Sequence, residues 1–178
     1  AMIFQLTYCI LWFYRLACIS IPLAFLLIFP AQANSSMKIA GLPVDTCIQG
    51  AAKYHDLDPQ LLRAILVVES RLNPKAVNRN RNGTRDIGMA QINSIHLPEL
   101  ARHGIHSQHL FDPCVASYVA AWLLRKNIDR HGLTWFGVAA YHSTTPAKNY
   151  RYQVLVYNEM VRSGAIQNTA MAVPASVK

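Results

Sequence analysis

Apolar positions recur at helical spacing through most of this chain, and proline, glycine and capping residues separate the runs. Asp58-Pro59 reads as an N-cap with proline at the first helical position. Leu61, Leu62, Ile65, Leu66 and Leu72 then share one face of a helix from Pro59 to about Leu72, which stops at Asn73-Pro74. Glu69 falls on that same apolar stripe. A first helix is expected over Val44 to Tyr54 and a short one over Pro98 to Arg102, closed by Gly104. Asp112-Pro113 repeats the cap-plus-proline start, with Val115, Tyr118, Val119, Trp122 and Leu123 on one face up to His131-Gly132. Thr134 can cap a helix reaching Tyr141. A last helix is expected from about Asn149 to Arg162, with Tyr150, Val154, Tyr157 and Val161 in register, and Ser163-Gly164 ends it. No stretch reads as a strand, and residues 75–93 read as one long polar loop, the kind that binds ligands in compact domains. The expected fold class is therefore mainly α, a single domain over residues 44–164, followed by a small, polar and disordered tail over 165–178.

The N-terminal region has a different character. Ile3 to Phe29 is almost continuously apolar, with Arg15 its one charge, and Ala31-Gln32-Ala33 follows as a small-x-small processing site. Basic residue, apolar core and processing site together read as a secretory signal peptide over residues 1–33, leaving a short segment 34–43 before the domain. The alternative is an uncleaved membrane anchor, since the apolar stretch is long enough to span; Pro22 and the processing site favour cleavage and a periplasmic location.

Export changes the meaning of the cysteines. The leader would take Cys9 and Cys18 with it, and the remaining pair, Cys47 and Cys114, points to one disulfide closing a loop of 67 residues. Such a closure is worth about 4 kcal/mol in the chain-entropy model; two buried free thiols are the alternative. Neither cysteine has a second ligand at metal spacing, and the His103, His106, His109 series is broken by Gly104 and Ser107, so no metal site is expected. Without the leader, sixteen basic residues face nine acidic ones. A surplus of seven favours anionic partners, and in an exported chain nucleic acid is the least suitable of them.

Glu69 is the first candidate for chemistry. A carboxylate on a core-facing stripe must be paired, or its pKa rises until it carries a proton near neutrality, as a general acid requires. The bland alternative is a helix that ends near residue 69 and lets the side chain point into solvent.

Glu69-Ser70 is followed in order by Asn73-Pro74 and Ala76, by Gly88-Met89-Ala90-Gln91-Ile92-Asn93, and by Ala140-Tyr141. This ordered set resembles the lytic transglycosylases with a goose-lysozyme-like (SLT) fold, over about residues 44 to 162. Asn80 to Gly88, with Cys47 and Asp112-Pro113-Cys114, is similar to the small members that accompany type III and type IV secretion and conjugation systems. The resemblance implies a lysozyme-like domain with a long cleft loop. It also implies peptidoglycan glycan strands as substrate, components of a secretion or conjugation apparatus as partners, and no cofactor.

The resemblance assigns Glu69 as the catalytic acid, cleaving the bond between N-acetylmuramic acid and N-acetylglucosamine with a 1,6-anhydromuramoyl product. Ser70 is the expected hydrogen-bond neighbour of that acid, or else a helix-end hydroxyl bonding backbone. Met89 is expected as an apolar wall, and Gln91 and Asn93 as amides for substrate recognition, with Asn93 alternatively capping the next turn. Tyr141 and Tyr150 are expected to face the acid, core packing being the alternative for each. Asp86 is read as a salt-bridge or turn-capping residue; across the cleft from Glu69 it could instead activate water and make a hydrolysing muramidase. A non-catalytic murein-binding scaffold is the third reading, against which the joint presence of Glu69, Ser70, Gln91 and Tyr141 argues. Two departures from the family pattern stand out: His142-Ser143-Thr144 where Asn-Ala-Gly is common, and Ala90 at a usually bulkier position, which is expected to widen the cleft.

Overall fold

The computed structural model describes residues 42–175. The expected leader and the segment to residue 41 lie outside the described residues. Among the described residues there are six α-helices: α1 (Val44–Tyr54), α2 (Pro59–Ser70), α3 (Leu97–Ala101), α4 (Pro113–His131), α5 (Trp135–Ala139) and α6 (Pro146–Arg162). Among the described residues no helix is long and apolar enough to cross a membrane.

The cap signals hold in detail. Asp58 accepts from the backbone N–H groups of Gln60 (2.6 Å) and Leu61 (3.1 Å), and Asp112 accepts from those of Cys114 (2.8 Å) and Val115 (3.0 Å). Each acid satisfies donors that a helix start would otherwise leave unpaired.

Helix α2 divides the core. Leu62 and Leu66 pack with Ile48, Met89, Ile92 and Leu110, whereas Leu61 and Ile65 pack with Leu124, Ile128, Tyr152 and Val156. Helix α4 runs between both groups and buries Cys114, Ala116, Val119, Ala120, Leu124 and Ile128 around most of its circumference. Val115, Tyr118 and Trp122, expected on its inner face, are only half-buried. The disulfide between Cys47 and Cys114 ties α1 to the first turn of α4.

Residues 75–93 depart from the expected loop. They hold three short antiparallel strands, β1 (Val77–Arg79), β2 (Arg85–Ile87) and β3 (Ile92–Asn93), in the order β1-β2-β3. Strands of two and three residues with mostly polar side chains carry no readable period, so the ladder is set by register and turns. Gly88 follows β2 at φ +72°, and a Cβ there would lie 2.0 Å from the Leu110 carbonyl oxygen, so only glycine lets the sheet approach the turn before α4.

Two further expectations change. In α6 the buried positions are Asn149, Tyr152, Val154, Val156, Glu159 and Met160, while Tyr150 is 51% exposed. The stretch after α6 is not loose over its described part. Asn158 exchanges hydrogen bonds with the Met171 backbone at 2.7 Å in each direction, and Arg151 donates to the Pro174 carbonyl at 3.1 Å. This irregular segment lies along α6.

Candidate active site

Helix α2 ends abruptly, and that ending positions the acid. Arg71 and Leu72 both take left-handed backbone angles (φ 57° and 61°), and the Asn73 N–H donates to Ser70 Oγ at 3.0 Å. Glu69 therefore stands in the last helical turn, one turn beyond the buried Ile65. Its carboxyl Oε1 accepts a 2.6 Å hydrogen bond from the Tyr152 hydroxyl of α6. Burial raises its pKa from 4.5 to about 7; the Tyr152 hydrogen bond acts against that rise, and the charge of Asp86 adds to it. The expectation of a carboxyl that holds its proton near neutrality agrees with this environment.

Glu69 lies on a cleft of about 990 Å³ whose lining includes Asp86, Gln91, Asn93, Tyr141 and His142. The sheet supplies one wall. Asn78 pairs with Asp86 and Asp86 with Asn93, so three polar side chains stand in a row on one face while Ile87 faces the core. Asp86 accepts from Asn93 Nδ2 (2.7 Å), Asn80 Nδ2 (3.0 Å) and Asn78 Nδ2 (3.3 Å). The acid expected to form a surface ion pair or cap a turn is thus the centre of an amide network inside the cleft.

The other anticipated residues sort by what they touch. Ser70 does not bond Glu69; its hydroxyl donates to the Met89 carbonyl at 2.7 Å and pins the loop to the end of α2. Met89 is fully buried, so its side chain belongs to the core and not to the cleft wall. Ala90 is also fully buried, and the small side chain does not widen the cleft. Gln91 lines the cleft in a left-handed conformation (φ 48°), its amide donating to the Gly88 carbonyl at 2.9 Å. Asn93 caps the following turn through Ile95 N–H (3.0 Å) as well as holding Asp86. The Tyr141 hydroxyl donates to the Ala90 carbonyl at 2.8 Å, joining the end of α5 to the loop. Burial and the nearby charges of Glu69 and Asp86 hold the Tyr141 hydroxyl protonated well above its usual pKa.

Tyr150 is not in the site. It lies on the outer face of α6 with Trp135, Tyr157 and Met171, and Tyr152, two residues further along and on the opposite side of the helix, takes the place expected of it. Both tyrosines sit on apolar stripes of α6; only Tyr152 shares the i, i+4 row with Val156 and Met160. Tyr150 shares an equivalent row with the buried Val154, so helical spacing alone does not choose between the two tyrosines. His142 was visible as a departure but not as a wall: its ring stacks on Tyr152 at 4.8 Å between centroids and 5° between planes. Burial lowers its pKa, which favours the neutral ring, while the charge of Asp86 acts the other way.

The sequence model for the transglycosylase SLT domain matches residues 46–154, which includes every residue of the cleft just described. The chain belongs to the transglycosylase SLT domain family. Its lysozyme-like, mainly helical fold is that of the family. Relatives include the "Invasion protein IagB" of Salmonella typhi, 37% identical over 103 residues, or 57% of this chain and 64% of the relative. The "X polypeptide" of Escherichia coli K12 is 34% identical over 139 residues, covering 74% of this chain and 81% of the relative. "Protein IpgF" of Shigella flexneri is 34% identical over 124 residues, covering 67% and 82%. The chain thus spans 64% of the length of its Salmonella relatives.

In this SLT domain the residues brought together are Glu69, Tyr152, Tyr141, His142, Asp86, Gln91 and Asn93. Among the described residues no three His, Cys, Asp or Glu side chains gather as around a metal ion.

Proposed function

We propose that this chain is an exported peptidoglycan lytic transglycosylase that opens murein locally for a trans-envelope secretion or conjugation apparatus. The observation that carries the reading is Glu69, a carboxyl with a pKa of about 7 on the floor of a polar cleft. Such a group is both a competent acid and, once ionised, a competent base at neutral pH. Glu69 gives its proton to the glycosidic oxygen as the C1–O bond of the muramoyl unit breaks. The resulting carboxylate takes the proton of the muramoyl C6 hydroxyl while O6 bonds to C1. The product is a 1,6-anhydromuramoyl end, and Glu69 is protonated again without water entering the balance.

Tyr152 holds the carboxyl at the cleft, and the amides of Gln91 and Asn93 border the space in which the N-acetyl groups would lie. The SLT relationship supports murein as the substrate, and the word "invasion" in the name of a Salmonella relative supports the link to an apparatus that crosses the envelope. The apolar stretch before Ala33 supports export to the periplasm by a cleaved signal peptide.

One observation favours a second reading, a hydrolysing muramidase: Asp86 lines the same cleft as Glu69. Its two oxygens already take three amide hydrogen bonds, which leaves little capacity to hold and deprotonate a water. Transglycosylation is therefore preferred. Mass spectrometry of purified murein after digestion separates the two. Anhydromuramoyl ends are expected; reducing muramic acid ends in their place would convert the assignment to hydrolysis, and full activity in Glu69→Gln would end both.

A further inference from the structure

A second cavity, of about 370 Å³, opens beside the cleft and is bounded by Val68, Glu69, His142, Lys148, Arg151 and Tyr152. It shares Glu69, His142 and Lys148 with the main cleft, so the two spaces meet at the acid. Lys148 and Arg151 are three residues apart on α6 and project on one side of it. Lys148 forms no ion pair among the described residues. Arg151 donates one N–H to the Pro174 carbonyl, which fixes its side chain and leaves the rest of the guanidinium available. Burial disfavours the ionised form of Glu69, the one acid on the wall, and the charged form of His142. Two cations thus converge on a side cavity whose one acid is a carboxyl that burial disfavours as an anion.

Murein alternates a sugar without a carboxylate and a sugar that carries one, through the lactyl ether at O3 of the muramoyl ring. Scission occurs at C1 of that same ring, so a muramoyl unit placed for attack at C1 carries its acidic substituent into the immediate neighbourhood of Glu69. We propose that Lys148 and Arg151 form a carboxylate subsite that receives the acidic O3 substituent of the muramoyl residue being cleaved. The subsite rests on the lytic transglycosylase reading and deepens it: it sets which of the two alternating bonds reaches Glu69. The carboxylate is either the free lactyl group of a peptide-free strand or one belonging to the peptide stem.

The subsite is tested by calorimetry on Glu69→Gln, which binds without turnover, using three glycans. These are peptide-free murein strands, the same strands with their carboxylates converted to amides, and peptide-bearing strands. Free-acid strands are expected to bind at least about tenfold more tightly than amidated ones, the scale of a charge-assisted pair at a partly exposed site. The contrast should shrink as salt is raised. Adding Lys148→Ala and Arg151→Ala should abolish the contrast while leaving affinity for amidated strands unchanged, which also verifies folding. Arg151→Lys should retain most of it. If peptide-bearing strands, whose lactyl group is already an amide, show the same dependence on the two cations, the carboxylate read is the stem's. Equal affinity for free-acid and amidated strands, together with binding of peptide-bearing strands that does not depend on the two cations, would overturn the proposal, as would an equal loss on free-acid and amidated strands in the double variant. Turnover of the unmutated protein on the same strands is scored separately. Absence of cleavage counts against the enzymatic reading, while the binding contrast decides the subsite.

Discussion

Tyr152 donates its hydroxyl to Glu69 Oε1 across 2.6 Å, joining the last turn of α2 to the second turn of α6. The pair is 83 residues apart in the chain and sets the protonation of the acid from both directions. Removal from water pushes the Glu69 pKa up, and the phenolic donor, which favours the ionised form, pulls it back.

Tyr152→Phe removes only the restraining influence. The Glu69 pKa should rise above 7, and the alkaline limb of the pH–activity profile should move to higher pH, with kcat reduced because the carboxyl is less firmly oriented. Tyr150→Phe should leave both the profile and kcat unchanged, since that ring lies on the outer face of α6. Murein-degradation rates between pH 5 and 9 check both. An unmoved limb in Tyr152→Phe would show that the hydrogen bond does not govern the acid.

Asp86→Asn shifts the same limb the other way. The charge of Asp86 helps to raise the Glu69 pKa, so its removal should lower that pKa and make activity fall at lower pH. The product should remain anhydromuramoyl. Loss of all cleavage in Asp86→Asn with a normal melting temperature would instead give Asp86 a part in the reaction.

The caps of α2 and α4 were legible because each is a local event: one aspartate, one proline and the next two N–H groups. Glu69 was legible because its misfit with Ile65 and Leu66 needs only helical geometry. Tyr152 was not. Helix α6 has apolar residues on two faces, and the outer stripe through Tyr150 and Tyr157 is covered by Trp135 and Met171, which no local pattern announces. The Asn78-Asp86-Asn93 row was hidden for a related reason: it exists only once the register of three very short strands is known. Ser70 was expected beside the acid, but its hydroxyl donates to the Met89 backbone, a partner that only the folded loop brings to the helix end.

Glu69 also links stability to pH. Its pKa is about 7 when folded and 4.5 as the ordinary value, so between those values the folded state holds a proton that the unfolded chain has released. Stability contributed by the neutral carboxyl is therefore present at pH 4 and is lost as pH rises through 7, by on the order of 3 kcal/mol. Glu69→Gln removes this dependence. Its melting temperature should match that of the unmutated protein near pH 4.5 and exceed it by several degrees at pH 8.5. Equal melting at both pH values would mean that the carboxylate is better solvated than its position indicates.

The bond between Cys47 and Cys114 closes 67 residues and joins the two helices that frame one side of the core. Constraining a loop of that length stabilises the folded state by roughly 4 kcal/mol in the chain-entropy model. The double variant Cys47→Ala, Cys114→Ala should therefore unfold at markedly lower denaturant, with a somewhat larger m-value because the unlinked unfolded chain exposes more surface. Both cysteines lie away from the cleft, so activity at temperatures where the variant stays folded should be near normal. Activity lost while the melting curve is preserved would require the disulfide to act on the site itself, through Gly88 and the turn before α4, where the sheet leans on the Leu110 carbonyl.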